Sequence, residues 1–219
     1  DQKRYTGSIN TKMDVNKYIE LDASANFTYT HSGNLPNTGY DGNNPLQSLL
    51  QWHQRQIDTA DLYANMDQKD EYGNYTHYNW QQAYATNPYW SMYHNTNSMD
   101  RNRFIGKASV FIKPTEWLKF EGRLGYDHYD SDQRSVILWS VDYPDGWYRD
   151  YNRKITEINA DFIAYFNKKF GKLDVNVMAG ANYRDYKNAI ATQGAAELVV
   201  PGLYTIANAK GPPTVTTDH

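Results

Sequence analysis

The side chains able to do chemistry in this sequence are carboxylates, imidazoles and aromatic rings, because its 219 residues include no cysteine. That excludes disulfide frameworks, thiolate zinc sites and cysteine nucleophiles together. Asp67, Asp70 and Glu71 lie close together, and Asp41-Gly42-Asn43-Asn44 has the composition of a calcium loop. Neither completes a D-x-[DN]-x-[DN]-G pattern with a terminal Glu, so both read as solvated loop and no metal is expected. The histidines fall at 31, 53, 77, 94, 128 and 219, without an H-x-x-x-H pair. Asp127, Asp130 and Asp132 beside His128 could pass for an acid–base cluster. Catalysis needs a nucleophile, a base and an orienter within reach of one another, and no string supplies the three. The chain reads as a non-enzyme without a cofactor.

Aromatic rings are the stronger signal. The stretch 63–98 carries Tyr72, Tyr75, Tyr78, Trp80, Tyr84, Tyr89, Trp90 and Tyr93 without periodicity. Rings stack on sugar faces and pack on peptide side chains, so a loop of this kind can touch substrate. The plainer account is that they pack the loop on itself or on a partner. Trp80, Tyr89 and Trp90 are the leading candidates. A second aromatic loop holds Trp139, Tyr143, Trp147 and Tyr148.

These loops must be held by strands. In the first hairpin Tyr5, Gly7, Ile9, Thr11, Met13 and Val15 alternate with polar residues, and Asn16-Lys17 turns the chain. Ile19, Leu21, Ala23, Ala25, Phe27 and Tyr29 then share one face, opposite Glu20, Asp22, Ser24, Asn26, Thr28 and Thr30. Strict period-2 alternation marks a strand with one apolar and one wet face. A second hairpin at 103–134 turns at Lys113-Pro114-Thr115-Glu116 between Phe104–Ile112 and Leu118–Tyr126. A third at about 150–188 pairs Ile158–Phe166 with Leu173–Tyr183 through the turn 168–172. Strands are therefore expected at about 3–31, 103–134 and 150–188, and outer loops at about 32–101, 135–148 and 189–219. Within the first loop, Pro45 to Trp52 predicts a short helix with Leu46, Leu49 and Leu50 on one side.

Composition agrees with an all-β chain of unusual polarity. Tyr, Trp and Phe make up 15 % of it, yet hydrophobic residues are only 40 % and mean hydropathy is -0.83. Membrane barrels look like this, because their lumen and outer loops are polar; soluble β-proteins can too. A net charge of -3 disfavours general nucleic-acid binding. No stretch approaches the ~20 apolar residues of a membrane helix. The opening DQKRYTGSIN is no signal peptide, and both ends are expected to be truncations.

Alternation alone does not say whether the apolar face meets lipid or a second sheet. Three features favour lipid: the apolar faces carry no charge, aromatics cluster near strand ends, and the opposite faces carry many charges, such as Glu20, Lys119, Arg123 and Asp161, as a hydrated lumen allows. Six strands cannot close around a useful lumen, so an open segment of a larger barrel is expected. The alternative is a soluble carbohydrate-binding β-sandwich module.

Several strings then combine. Asn87-Pro88-Tyr89-Trp90 precedes Asp100-Arg101-Asn102-Arg103-Phe104-Ile105-Gly106. The run Lys113-Pro114-Thr115-Glu116-Trp117-Leu118-Lys119-Phe120-Glu121-Gly122-Arg123-Leu124-Gly125-Tyr126-Asp127 follows, and later Val200-Pro201-Gly202-Leu203-Tyr204 leads to Ile206-Ala207-Asn208. Their order resembles the barrel of SusC/RagA-type TonB-dependent outer-membrane transporters, over nearly the whole chain. The resemblance implies antiparallel hairpins in the wall of a large transmembrane β-barrel, with long extracellular loops containing a short helix. It implies import of oligosaccharide or peptide cargo, a SusD-like surface lipoprotein as lid, contact with outer-membrane lipid, and an outer-membrane location in a Gram-negative bacterium. Energy from TonB would act through parts absent from this stretch, which holds no plug domain or TonB box.

Overall fold

The computed structural model describes residues 2–76, 78–80, 85–140 and 143–218. His77, Tyr84 and His219, singled out above, lie outside the described residues. The fold is one antiparallel sheet of seven strands in sequence order. β1 is Gln2–Asn16, β2 Ile19–Ser32, β3 Asn97–Thr115, β4 Leu118–Ile137, β5 Trp147–Phe170, β6 Leu173–Ala195 and β7 Thr214–Asp218. β1 and β7 are opposite edges, so the sheet does not close on itself.

The register explains why alternation was so clear. Residues directly opposite in an antiparallel pair share a face. Ile9 pairs with Ala25, Ala25 with Gly106, Gly106 with Tyr126, and Tyr126 with Ile158. Met13, Leu21, Val110, Gly122, Phe162 and Ala181 form a second such row. Across these rows one face of β1 to β5 is uncharged, and on β6 the uncharged run is Leu173–Tyr183, ended by Asp185 opposite Ile158. Among the described residues this face packs on nothing: Ile9 is 69 %, Leu124 53 % and Phe162 55 % exposed. A sandwich needs a second sheet over this face, and among the described residues there is only one sheet.

The opposite face is a lattice of ion pairs and amides. Lys12 and Lys113 both hold Glu20, at 2.7 and 2.8 Å. Arg123 reaches Asp161 at 2.7 Å, Arg103 reaches Asp127 at 2.6 Å, and Arg184 reaches Glu157 at 2.8 Å. Asn182 donates to Asp161, and the Tyr165 hydroxyl donates to Glu121.

At one end the hairpins turn tightly. Asn16 Oδ1 accepts from the backbone of Tyr18 and Ile19. Gly171 has φ +62°, which lets β5 continue to Phe170 and reverse at once into Leu173. The turn there is tighter than the expected 168–172.

Three boundaries differ from expectation. β3 begins at Asn97, β6 runs on to Ala195, and β7 lies inside the expected tail loop. Beyond the apolar stretch the outward positions are Asp100, Asp132 and Asn152, paired with one another across β3, β4 and β5. Both faces are polar there, so no hydrophobic period marks the strand.

Candidate functional site

The strands project three connections at the end away from the tight turns: 33–96, 138–146 and 196–213. The first is the largest, with three short helices: α1 (Pro45–Gln47, continued by a π turn Ser48–Trp52), α2 (Thr59–Ala64) and α3 (Pro88–Tyr93). Asn-Pro pairs start two of them. The Asn44 side chain accepts from Leu46 and Gln47 N–H, and Asn87 from Tyr89 and Trp90 N–H, satisfying first-turn donors.

Asn87 is fully buried and does more than cap. Its Nδ2 donates to the carbonyls of Leu62 (2.9 Å) and Tyr78 (2.7 Å), so one side chain ties together α2, α3 and the strand-free stretch between them. Other asparagines bolt the connection to the sheet. Asn34 Nδ2 donates to Met92 O, and Asn97 N–H donates to Asn34 Oδ1. Asn95 Nδ2 donates to Asn43 Oδ1, and Leu138 N–H donates to Asn95 Oδ1. Asn43 Nδ2 in turn donates to the Tyr143 hydroxyl at 3.3 Å, joining the first connection to the second.

The aromatic candidates divide by exposure. Trp90 is 0 % exposed, in ring contact with Tyr75 (4.9 Å) and His94 (4.3 Å). It is the core of the first connection and offers no surface to a ligand in this conformation. Trp80 is half-buried; its Nε1 donates to Trp52 O at 2.7 Å and its ring meets His53 edge-on. Tyr89 is half-buried against Tyr63 at 5.3 Å. In the second connection Trp139 packs on a small core of Tyr148, Ala195 and Leu198. Tyr143 is half-buried on its bond from Asn43, and Trp147 opens β5 with the Arg149 guanidinium over its ring at 5.2 Å. Trp80 and Tyr89 belong with Trp90 in the first group, whereas Trp139, Tyr143 and Trp147 form the second. The most open rings are ones the sequence did not favour: Tyr40 and Tyr72, with Leu46 and Leu50 beside α1. The apolar side expected of that helix is therefore present but unpacked, Leu50 being 82 % exposed.

The third connection folds around Asn208. Its side chain accepts from Val200 N–H and donates to the carbonyls of Val200 and Leu203. Lys210 bridges Asp145 at 3.1 Å, and that hydrogen bond raises the lysine pKa. Burial pushes the Tyr204 hydroxyl up.

The charged clusters are structural in their contacts. Asp70 accepts from the backbone of Tyr72 and Asn74 and from the Asn74 side chain. Desolvation works against its charge, but these donors outweigh it and hold the pKa down. Asp67 takes His94, and no cluster that could hold a metal ion occurs among the described residues. Asp127 is committed to Arg103, Asp132 accepts from Asn152, and His128 meets Thr156. The Tyr29 hydroxyl and His31 both engage Asp100 and lower its pKa.

The buried asparagines are what sequence reading missed. Asn44-Pro45 and Asn87-Pro88 were visible as cap-and-proline pairs. Asn43, Asn95 and Asn208 carry no such mark.

No family model and no curated protein matches the chain. Among solved structures it superposes on a chain of a RagAB peptide transporter with a TM-score of 0.70 at 15 % identity, covering 99 % of this chain and 24 % of that one. The RagAB peptide importer in its 'closed-closed' state (TM-score 0.68, 14 % identity) and its 'open-open' state (0.68, 16 %) match over the same shares. The likeness is one of fold: this open antiparallel sheet has the form of a section of those much longer chains.

Proposed function

We propose that the chain is part of the wall and outer loops of a SusC/RagA-type TonB-dependent transporter, which imports oligomeric nutrients across the outer membrane of a Gram-negative bacterium. The observation that carries this reading is the uncharged face shared by six paired strands, set against an opposite face filled with ion pairs. From Leu173 to Tyr183 that face runs about 33 Å along β6. At the ~40° tilt usual for outer-membrane barrels it stands about 25 Å tall, the height of their lipid-facing band. Lipid covers it without a second sheet, and the ion pairs face water in the lumen. Rings at the tight-turn end fit an interfacial girdle: Tyr18 beneath Lys17, and Trp117 and Phe170 beneath Lys168.

The outer connections are the cargo and lid surface on this reading. Trp80, Tyr89, Trp139, Tyr143 and Trp147 are half-buried and leave part of each ring to glycan or peptide cargo, while Trp90 holds the first connection, which carries Trp80 and Tyr89. The exposed side chains Tyr40, Leu46, Leu50 and Tyr72 of the first connection suit contact with a SusD-like surface lipoprotein. Energy coupling to TonB would use parts outside this chain. The fold and the likeness to transporter chains support a transport role over an enzymatic one.

Fractionation of cells expressing the full-length protein tests this. It should be in the outer membrane, need detergent for extraction, and run faster in SDS before boiling than after. Cells lacking it should lose growth on the oligomer it imports. Recovery in the soluble fraction, with no heat-dependent mobility, would refute the reading.

A further inference from the structure

The wet face of the sheet is not uniformly charged. In its half nearest the tight turns, acids and bases pair: Lys12 and Lys113 with Glu20, Arg123 with Asp161, Arg184 with Glu157. Above the row holding Asp127 and Glu157 the pattern changes. Arg4 lies opposite Thr30, Thr30 opposite Arg101, Arg101 opposite Ser131, and Ser131 opposite Arg153. This single cross-strand row alternates guanidinium and hydroxyl over five strands. Arg149 adds a cation nearer the outer end of β5, on the same face. The wet-face positions from this row outward contain no Asp or Glu on β1 to β6; the row continues through Ile190 to one carboxylate, Asp218, on the edge strand β7, two strands from Arg153.

None of these arginines pairs with a carboxylate among the described residues. Arg101 lies over the Tyr129 ring at 5.1 Å, yet its Nε–H is buried without an acceptor. Ser131 beside it is 1 % exposed, and its hydroxyl also lacks a partner. Arg153 donates only to the Asn188 amide at 3.0 Å. A guanidinium held by a ring or a neutral amide keeps most of its charge-assisted hydrogen-bonding capacity. With strands about 4.8 Å apart, Arg101 stands about 10 Å from Arg4 on one side and from Arg153 on the other, far enough to engage separate anionic groups.

We propose that this row recognises carboxylates of an acidic oligomer, so that the transporter favours anionic cargo over neutral cargo of equal length. The inference rests on the lumen assignment of the preceding subsection. The row lies on the loop side of the paired lattice, where cargo arriving from outside meets it first. Charge complementarity there would both steer and hold an acidic chain.

The test uses the full-length protein isolated from the membrane with whatever partner accompanies it, and two fluorescent probes, amidated hexaglutamate and amidated hexaglutamine. Hexaglutamate should bind about tenfold or more tightly at low salt, the advantage shrinking as salt rises. Arg101→Gln with Arg153→Gln should abolish that advantage and leave hexaglutamine unchanged, whereas Arg101→Lys with Arg153→Lys should retain part of it. Lys172→Gln, in a tight turn, should change neither probe. Equal binding of the probes by the wild type overturns the proposal. So does a double Gln variant that melts earlier but still prefers hexaglutamate, since the arginines would then be holding another segment of the protein. Binding of neither probe also overturns it; only failure of uptake for every oligomer would bring down the transporter reading as well.

Discussion

The wall and the outer connections solve the same problem with opposite means. The wall leaves Ile9, Leu124 and Phe162 open and uses its backbone ladder for cohesion, with a face that no other described part of the chain covers. The outer connection 33–96 has almost no ladder, and closes instead on one buried indole, Trp90, and on asparagine side chains that bond backbone groups. A sheet supplies its own hydrogen bonds and can leave its side chains to the solvent it is given, which on the proposed reading is lipid on one face and water on the other. An irregular segment has orphaned backbone groups and needs side-chain amides to satisfy them. Stability in the two regions should therefore respond to different substitutions.

Trp90→Ala should have the largest effect. Emptying a fully buried indole site costs about 3–5 kcal/mol. The loss should be local: limited proteolysis should cut within 33–96 while the boiled-versus-unboiled mobility of the barrel stays unchanged. Leu124→Arg comes next and should damage only the wall. A charge on the lipid-facing midplane costs about 2–4 kcal/mol, read as a lower denaturant midpoint for folding into vesicles. Asn159→Arg, on the wet face of the neighbouring strand, should cost far less. Equal costs at the two positions would break the division of faces.

Asn87→Ala removes a helix cap and leaves the carbonyls of Leu62 and Tyr78 without their donor, a loss of about 2 kcal/mol. Its protease pattern should copy that of Trp90→Ala more weakly. Asp100→Asn should be the mildest. The Asp100 pKa is lowered in the folded protein by Tyr29 and His31, so its contribution is present above the ordinary carboxylate value. It is lost as pH falls through the lower folded value. The variant should be slightly less stable than the wild type at pH 7, and the difference should begin to shrink below about pH 4 and vanish once the pH is below the lowered folded value. A gap that persists to lower pH would show that the carboxylate charge is not what matters there.

The two regions also differed in how readily they could be read. The faces of β1 to β6 were legible because each apolar residue is separated from the next by a polar one, as in Ile19 to Tyr29. That pattern follows from a two-sided environment and survives in the sequence alone. Where strands pass beyond the apolar band, both faces are wet, and the sequence lost β7 and the outer ends of β3 and β6. The loop was legible as aromatic but not as a structure. Composition does not tell a buried Trp90 from an open Tyr72, because burial there is decided by asparagine contacts between residues as distant as Asn43 and Asn95. The arginine row was invisible for a related reason: Arg4, Arg101 and Arg153 are neighbours only through the register of five strands.

The most direct test of the account is a nitroxide scan along β4. The segment has no cysteine of its own, so single cysteines can be placed one at a time from 118 to 135 in a full-length protein stripped of other thiols and folded into bilayers. Collision with oxygen and with a water-soluble nickel complex would be measured at each label. Oxygen accessibility should peak at 118, 120, 122, 124 and 126, nickel accessibility should peak at the positions between them, and the oxygen peaks should fade beyond 130. High nickel accessibility at both sets, or shielding of the even positions from both agents, would contradict a lipid-facing wall.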